Sequence, residues 1–546
     1  MSAQESSGGK SLTLSDLPWL VSLLTVGCLI LAAFALNAHT LTSGLGGVPL
    51  DDAWIHFQFA RNLARGDGLS FNPGQPTSGS TAPLWTLLLA AVYALGGRFP
   101  AAGQISSAAS YLGMLAATYT LGKRVTSSRW MAWLAGMVVA VNGRMVWAGL
   151  SALEICAFAA LSLLGITAHL EDRVQHRYRL GTAALFGLAA LCRPEGYLLF
   201  VLSVGSFGYH AIRKTQDRNP RNVLRIANSA LPAVGVFVVL ILPYIIFSWY
   251  TSGHLLPNTY HAKATVSLLP DRAFRDFVSV GAVYLILDNP LLLPFFLFGL
   301  ILLLRRTPLL SWWAMALPLA YALVHASLYQ HGRYLMPLIP VNGVIAIWGL
   351  LEAKRVIGRR LSLGRHSALG AKMSRPSPDD GYVRLWAVPA KHLPAPETVG
   401  TALLFVLVVA STAWRLPTMA EQYAQNVDNI NRMHVALGHW VAESTPPGTV
   451  LALNDIGAIT YISERPVVDL AGLVTPEVTP SMRTPEQTDR LIEFMRGRGV
   501  DYVVIFPNWF PGLAQRGDVL EEVHRVTLEN RTITGGTTMV VYRLRR

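Results

Sequence analysis

Two adjacent carboxylates, Asp51 and Asp52, open the run Asp51-Asp52-Ala53-Trp54-Ile55-His56, which follows a polar, glycine-rich connector. Where such a pair meets a low-dielectric boundary, burial raises the pKa of a carboxylate and makes it a usable base near neutral pH. An aspartate just before a helix also has a simpler role, because its side chain caps free backbone N–H groups. Capping explains one of the two aspartates and does not explain both.

Three charged residues interrupt apolar sequence farther along the chain. Glu154 follows the run Gly149-Leu150-Ser151-Ala152-Leu153, and a charge in a membrane is costly unless it faces protein or a cavity. The same glutamate also suits a helix start, where the helix dipole favours negative charge. Arg193 and Glu195 have apolar sequence on both sides and can simply pair with each other. The three residues are therefore candidates for a buried polar site or for ordinary structural charges.

Two longer segments combine hydroxyl, amide, imidazole and cationic side chains, a set that suits a phosphate or a sugar. They are Leu256-Pro257-Asn258-Thr259-Tyr260-His261-Ala262-Lys263 and Tyr329-Gln330-His331-Gly332-Arg333-Tyr334. An arginine can hold two phosphate oxygens at once. Each segment is a weak signal by itself, since lysine and arginine are common at the ends of membrane spans.

The composition indicates that the lipid bilayer is the main solvent of this chain. Of its 546 residues, 52% are hydrophobic and only 14% are charged, which is too apolar for a water-soluble surface. The net charge of +13 lies in short connectors between apolar runs, which argues against a nucleic-acid partner. Cys28, Cys156 and Cys192 lack metal-type spacing, so neither a zinc site nor a disulfide framework is indicated.

Eleven apolar runs predict a polytopic α-helical membrane protein. The runs lie near 17–36, 105–121, 130–148, 151–169, 180–193, 196–212, 230–249, 285–304, 309–326, 335–351 and 399–413. The fifth and sixth runs are short and fit two tilted helices or one broken helix, and Asp288-Asn289-Pro290 interrupts the eighth.

The basic connectors predict the orientation of these spans. With the N-terminal tail (1–16) in the cytoplasm, five cytoplasmic connectors hold 22 of the 45 lysines and arginines. All five polar clusters then fall on the external face, although they were not used to choose the orientation. We therefore expect one external cavity that they share.

The predicted organisation is a membrane domain at 17–414 and an external α/β domain at 415–546. The membrane domain has a long external loop (37–104) and a cytoplasmic loop (352–398). Within the external loop, 52–63 and 82–95 are predicted as amphipathic helices along the interface. In the tail, the spacing of the apolar residues changes from helix-like to strand-like. It predicts strands at 450–453, 467–470 and 502–506 and a hairpin at 526–546.

Several of these motifs resemble the bacterial GT-C glycosyltransferases. Asp51-Asp52-Ala53-Trp54-Ile55-His56-Phe57, Arg61-Asn62-Leu63 and the turn Gly68-Leu69-Ser70-Phe71-Asn72-Pro73-Gly74 are similar to the first external loop of that family. The nearest group is the mycobacterial terminal arabinofuranosyltransferase, with protein O-mannosyltransferases and the lipid A aminoarabinose transferase more distant. The turn at Glu154, Arg193-Pro194-Glu195-Gly196, Leu256-Pro257-Asn258-Thr259 and Gly332-Arg333-Tyr334 also look like that group. Trp54 stands where a tyrosine is usual, and Ala152 where a glycine is common.

The resemblance implies an inverting enzyme in the bacterial cytoplasmic membrane that moves a sugar from a polyprenyl-phosphate carrier to a cell-envelope glycan, lipid or protein. Its base would be Asp51 or Asp52. The candidate substrate-binding residues are His56, Glu154, Arg193, Glu195, Asn258, Tyr260, His261, Lys263, His331, Arg333 and Tyr334. A divalent cation could bridge a carboxylate and the phosphate, but carboxylates alone do not establish one.

Two other classes of function compete with an enzyme. A transporter or glycolipid flippase also places charges at broken membrane helices, but it should have repeated halves and charges near the midplane. A noncatalytic relative would bind the glycolipid without transferring its sugar.

Overall fold

A computed structural model describes residues 12–214, 228–259, 272–323, 329–372, 396–478, 482 and 484–545. The part of the chain before residue 414 is built of helices. In chain order they are α1 (Leu17–Leu41), α2 (Asp52–Arg65), α3 (Pro83–Ala94), α4 (Ala101–Thr126), α5 (Arg129–Ala140), α6 (Gly143–Gly149), α7 (Ile155–Gln175), α8 (Leu180–Cys192), α9 (Glu195–Lys214), α10 (Leu231–Ser252), α11 (Arg272–Asp288), α12 (Leu293–Arg306), α13 (Pro308–Leu323), α14 (Ile339–Lys372) and α15 (Pro396–Ala413).

The predicted helical membrane protein with a small C-terminal α/β domain is confirmed, whereas the number of spans is not. Among the described residues, five helices are long and apolar enough to cross a membrane, or seven if each of two bent helix pairs is one span. Three shorter apolar helices, α3, α8 and α13, come in addition. The count of eleven spans stays a prediction.

One predicted span is wrong as a single helix, and a second is broken where its sequence is interrupted. The run 130–148 divides into α5 and α6, which meet at 72°. The break occurs because the Asn142 side chain accepts a hydrogen bond from Met145 N and starts a new helix. The run 285–304 is broken by a 107° bend before α12, where the Asn289 side chain accepts from Leu292 N.

The two helices predicted in the first loop are α2 and α3. Helix α2 begins after Asp51 and ends at Gly66, whose φ of 94° lies in the left-handed region that favours glycine. Between the helices, the Asn62 side chain donates to Ser70 O and Phe71 O at 3.1 and 2.8 Å. These bonds fold the glycine-rich turn back onto α2.

The C-terminal domain is an α/β unit entered by a long helix. Its elements are α16 (Leu416–Ile430), a π-helical turn (Asn431–Val435), α17 (Ala436–Ser444), β1 (Leu451–Leu453), α18 (Gly457–Ser463), β2 (Val467–Asp469), α19 (Thr488–Gly497), β3 (Tyr502–Ile505), α20 (Pro511–Ala514), β4 (Leu520–Thr527) and β5 (Thr538–Leu544). The strand order is β2-β1-β3-β5-β4. Strand β1 pairs with β2 and β3 in parallel, and β5 pairs with β3 and β4 antiparallel.

Two apolar cores use alternate residues of the strands and therefore lie on opposite faces of the sheet. One contains Leu491 and Met495 of α19. The other contains Leu437 of α17 together with Phe59 and Phe71, which come from the first loop. The first loop is thus part of the hydrophobic core of the C-terminal domain.

Candidate active site

Asp51 and Asp52 are adjacent in sequence but have different surroundings. Asp51 is buried, and its two carboxylate oxygens accept hydrogen bonds from Gly457 N and Ala458 N, both at 2.8 Å. Asp52 keeps 27% of its side chain exposed and faces Arg333, with 3.3 Å between Asp52 Oδ1 and Arg333 Nη2. Asp51 therefore caps a helix, although it is the distant α18 and not the helix that follows it. A catalytic base in this pair stays a prediction.

The buried aspartate belongs to a small titrating group. Burial is the largest influence on Asp51 and raises its pKa to about 6, and the Asp455 carboxylate acts in the same direction. His434 and the two backbone donors act against this rise. Burial by itself lowers the pKa of His434, but the charges of Asp51 and Asp455 outweigh burial and raise it.

Arg193 is the centre of a buried ion-pair network. Its Nη1 lies 2.8 Å from Glu154 Oε1, and its Nη2 lies 2.6 Å from Glu195 Oε1. The Tyr321 hydroxyl donates to the same oxygen of Glu195. On the other side, His56 Nε2 lies 3.4 Å from Glu154 Oε2. The pairing of Arg193 with Glu195 was predicted, and Glu154 joins the same cation.

Tyr334 lies between this network and the Asp52–Arg333 pair. Its ring is 5.1 Å from the ring of Tyr321, and the Arg193 guanidinium lies 5.6 Å from its centroid. The Arg333 guanidinium lies 5.2 Å from the same ring. The first loop, the α8–α9 turn and the loop before α14 therefore meet at one place.

Three buried nitrogens on α2 and on the Arg333 loop have no hydrogen-bond partner among the described residues. They are Trp54 Nε1, His56 Nδ1 and Arg333 Nε. A buried donor without a partner costs about 1–3 kcal/mol, and such groups are often completed by water or by a ligand. An oxygen-rich ligand is one way to satisfy these donors.

The remaining predicted residues are not all brought to this place. Asn258 donates to Gly472 O and Leu473 O at 2.7 and 3.1 Å, and so ties its loop to the C-terminal domain. His331 Nε2 lies 2.9 Å from the Asn426 side-chain amide. Tyr260, His261 and Lys263 lie outside the described residues.

Arg144 is a functional candidate that the sequence reasoning missed. Its Nη1 lies 2.6 Å from Asp288 Oδ2, while Nε donates to His331 O at 2.8 Å and Nη2 to Gly332 O at 3.0 Å. It therefore holds the loop that carries Arg333. Its sequence signal was an arginine within an apolar run, which is rare unless it has a partner.

A cavity of about 390 Å³ lies beside this loop. Its lining includes Arg144, Tyr284, His331, Arg415 and Gln422.

In the described part of the chain, one group of side chains has spacing that a metal ion would need. Asp51, His434 and Asp455 place their ligand atoms within 4.8 Å of one another. However, both oxygens of Asp51 accept backbone hydrogen bonds, and His434 Nε2 lies 2.9 Å from Asp455 Oδ2. These contacts explain the group without an ion, and we assign it no metal.

Comparison with solved structures identifies the architecture. ArnT from Cupriavidus metallidurans in the apo state matches with a TM-score of 0.56 and 15% identity, covering 97% of this chain and 98% of ArnT. The chain has the fold of the GT-C glycosyltransferases. ArnT bound to undecaprenyl phosphate matches with the same TM-score at 14% identity, covering 96% and 98% of the two chains.

A second GT-C structure matches over less of its own length. The archaeal oligosaccharyltransferase AglB from Archaeoglobus fulgidus, in complex with an inhibitory peptide and a dolichol-phosphate, has a TM-score of 0.55 at 14% identity. The match covers 90% of this chain and 70% of AglB. A family model described as a domain of unknown function (DUF8728) matches residues 420–542. No curated protein matches the sequence.

Proposed function

We propose that the protein transfers a sugar from a polyprenyl-phosphate carrier to a cell-envelope glycan, lipid or protein. The observation that carries this proposal is the partly exposed Asp52 carboxylate beside the buried Arg333, on a fold that matches ArnT along almost its whole length. ArnT has been solved with undecaprenyl phosphate bound. A base next to a phosphate-binding cation is the pair of groups that such a transfer needs.

Asp52 is the base in this proposal. It is more exposed than Asp51, whose two carboxylate oxygens both accept hydrogen bonds from the start of α18. It removes the proton of the acceptor hydroxyl as that oxygen bonds to the anomeric carbon. The bond from this carbon to the phosphate oxygen breaks on the opposite face, and the phosphate leaves with the electron pair. The configuration of the sugar is inverted.

Arg333 stabilises the leaving phosphate. Charge grows on the phosphate oxygens in the transition state, so a fixed cation there lowers the barrier. Within the described part of the chain its buried Nε has no hydrogen-bond partner, and the Arg333 side chain is only 9% exposed. Tyr260, His261 and Lys263, from the segment outside the described residues, remain proposed partners of the same phosphate.

The network around Arg193 orients the sugar. Glu154 and Glu195 hold the Arg193 guanidinium from two sides, and His56 and Tyr334 border them. Carboxylates and aromatic rings at such a position suit sugar hydroxyls and the apolar face of a sugar ring. Asn258 and His331 support the neighbouring loops.

The proposed setting is a bacterial cytoplasmic membrane. The N-terminus lies in the cytoplasm, and the α/β domain at 415–546 lies outside. The polar residues from 51 to 334 then share the external face with the sugar-bearing end of the lipid carrier.

The test is a transfer assay on purified full-length protein with a panel of polyprenyl-phosphate sugars, including mannosyl and arabinofuranosyl carriers. We expect one carrier to be consumed, and Asp52→Asn to slow the reaction by about 100- to 10,000-fold. Asp428→Asn, which breaks a helix-surface pair with Arg432, is the matched control and should be active. Full activity of Asp52→Asn would remove the proposed base.

The same assay separates the competing functions. A flippase would move an intact carrier across proteoliposomes without consuming it. A noncatalytic relative would bind a carrier in both the wild type and Asp52→Asn without transfer in either.

A further inference from the structure

The contact of Asp51 with α18 joins two segments that are 406 residues apart. Asp51 starts α2 through its backbone, since Trp54 N donates to Asp51 O at 2.9 Å. Its side chain meanwhile accepts from the first two residues of α18, Gly457 and Ala458. One residue therefore fixes the beginning of two helices against each other.

His434 and Asp455 complete this contact from the C-terminal domain. His434 is fully buried on the π-helical turn, a type of irregularity often found at functional sites. Its Nε2 lies 2.9 Å from Asp455 Oδ2, and Asn454 Nδ2 donates to Asp455 Oδ1 at 3.3 Å. The ligand atoms of His434, Asp455 and Asp51 lie within 4.8 Å of one another, so the imidazole stands beside the Asp51 carboxylate while Asp455 sets its orientation.

A wider set of contacts makes the first loop and the domain one folded unit. Arg61 Nη1 donates to Tyr461 O and Glu464 Oε1, both at 2.8 Å. Asn72 pairs with the backbone of Val467 twice, as donor and as acceptor, at 2.9 Å each. Trp54 packs against Tyr461 with 5.3 Å between the ring centroids.

The packing of the first loop against the C-terminal domain sets the direction in which the Asp52 side chain points. Successive residues of an α-helix point about 100° apart, so fixing Asp51 against α18 also fixes where the next side chain points. The Asp52 side chain points away from α18 and toward Arg333. A small rotation of α2 would move the Asp52 carboxylate away from the reacting atoms.

We propose that His434 and Asp455 are positioning residues for glycosyl transfer: they hold Asp51 against α18 and thereby direct Asp52 toward Arg333. The C-terminal domain then belongs to the catalytic unit and is more than a separate acceptor-binding module. This inference rests on the proposed function, with Asp52 as its base.

The experiment compares His434→Gln, His434→Leu and Asp455→Asn in the full chain. Glutamine keeps an N–H donor near the position of Nε2, whereas leucine keeps only the volume. The matched controls are His439→Gln, at an exposed position of α17, and Asp518→Asn, at an exposed position of the same domain. The readouts are kcat, KM for the donor, and amide hydrogen exchange of residues 48–58.

We expect His434→Leu and Asp455→Asn to lower kcat by about 10- to 100-fold with little change in KM, since misplacing a reacting group mainly raises the chemical barrier. His434→Gln should recover part of kcat. Amide exchange at 48–58 should be faster in the two weakened variants than in the controls. Unchanged kcat, or a rise in KM alone, would overturn the inference.

The exchange measurement keeps the inference apart from the proposed function. If the wild type transfers no sugar, the proposed function fails, and exchange at 48–58 still decides whether His434 and Asp455 fix the start of α2. Exchange equal to that of the controls would overturn the positioning role. A variant that unfolds would show fast exchange along β3 and β5 as well. In that case the exchange of His434→Gln, the milder change, is compared with that of the controls to test the positioning role.

Discussion

Asp51 and Asp52 show how much two identical neighbouring side chains can differ. Asp51 is enclosed by the first turn of α18, while Asp52 remains partly exposed beside a cation. The difference arises from the helical geometry at the start of α2, which sends one carboxylate toward the C-terminal domain and the other toward Arg333. In the proposed mechanism, only the second acts as the base.

The titrating groups around Asp51 predict that docking of the C-terminal domain weakens as pH rises. Docking raises the pKa of Asp51 from 3.8 to about 6, so the docked state binds this proton more tightly, and that stabilisation is lost as pH rises through this window. The raised pKa of His434 acts in the same sense: its stabilisation is complete below the ordinary pKa of 6.5 and is lost as pH rises through the raised pKa. The groups that face one another are Asp51, His434 and Asp455.

Limited proteolysis and thermal unfolding at about pH 5.5 and about pH 8 measure this dependence. We expect the wild type to be more resistant at the lower pH, and His434→Leu to show a smaller difference. A wild type that is more stable at the higher pH would contradict the assignment.

At the scale of elements, the start of α18 has no room for a side chain. A Cβ on Gly457 would lie 2.3 Å from Asp51 O and 2.7 Å from its carboxyl carbon. We expect Gly457→Ala to lower the free energy of unfolding by about 1–3 kcal/mol, as overpacking does. Gly497→Ala is the matched control, since a Cβ there meets nothing within 4 Å, and its effect should stay within about 0.5 kcal/mol. Thermal unfolding in detergent compares the two, and equal effects would contradict the close contact.

The loop that carries Arg333 depends on another element pair. Asp288→Asn removes the charge that faces the buried Arg144, and breaking such a pair costs about 3–5 kcal/mol. We expect lower thermal stability and slower sugar transfer, because Arg144 also holds His331 and Gly332. Asp428→Asn should change neither quantity. If Asp288→Asn lowered the thermal stability but left the transfer rate normal, the anchoring of this loop would not matter for catalysis.

The elements also show what the sequence could and could not predict. Apolar runs predicted the helices because burial in lipid leaves a continuous signal, and the strand-like runs predicted the α/β domain. The break at Asn142 was missed, since a single capping residue inside an apolar run changes the composition very little. The contacts of Asp51 with Gly457 and of Glu195 with Tyr321 were also missed. They join distant segments, and no local pattern marks them.

At the scale of the whole molecule, the predicted orientation can be tested by labelling. In a chain whose native cysteines are replaced, a cysteine at Asp518 should react with an impermeant maleimide added to intact cells. The cysteine of Ser377→Cys, in the predicted cytoplasmic loop, should react only after the membrane is permeabilised. The reverse pattern would invert the topology and separate the polar cluster from an external lipid carrier.

The two phenylalanines of the first loop that lie in the core of the C-terminal sheet have a consequence for the timing of synthesis. Ribosomes add about 5–20 residues per second, and Asp51 is made 406 residues before its partner Gly457. For roughly 20–80 s Asp51 is therefore without the helix that it caps. Phe59 and Phe71 wait longer still, because Val541 of β5 belongs to the same core. An unfinished chain therefore cannot complete the contacts around the start of α2, so we expect the proposed transfer only after β5 has been translated.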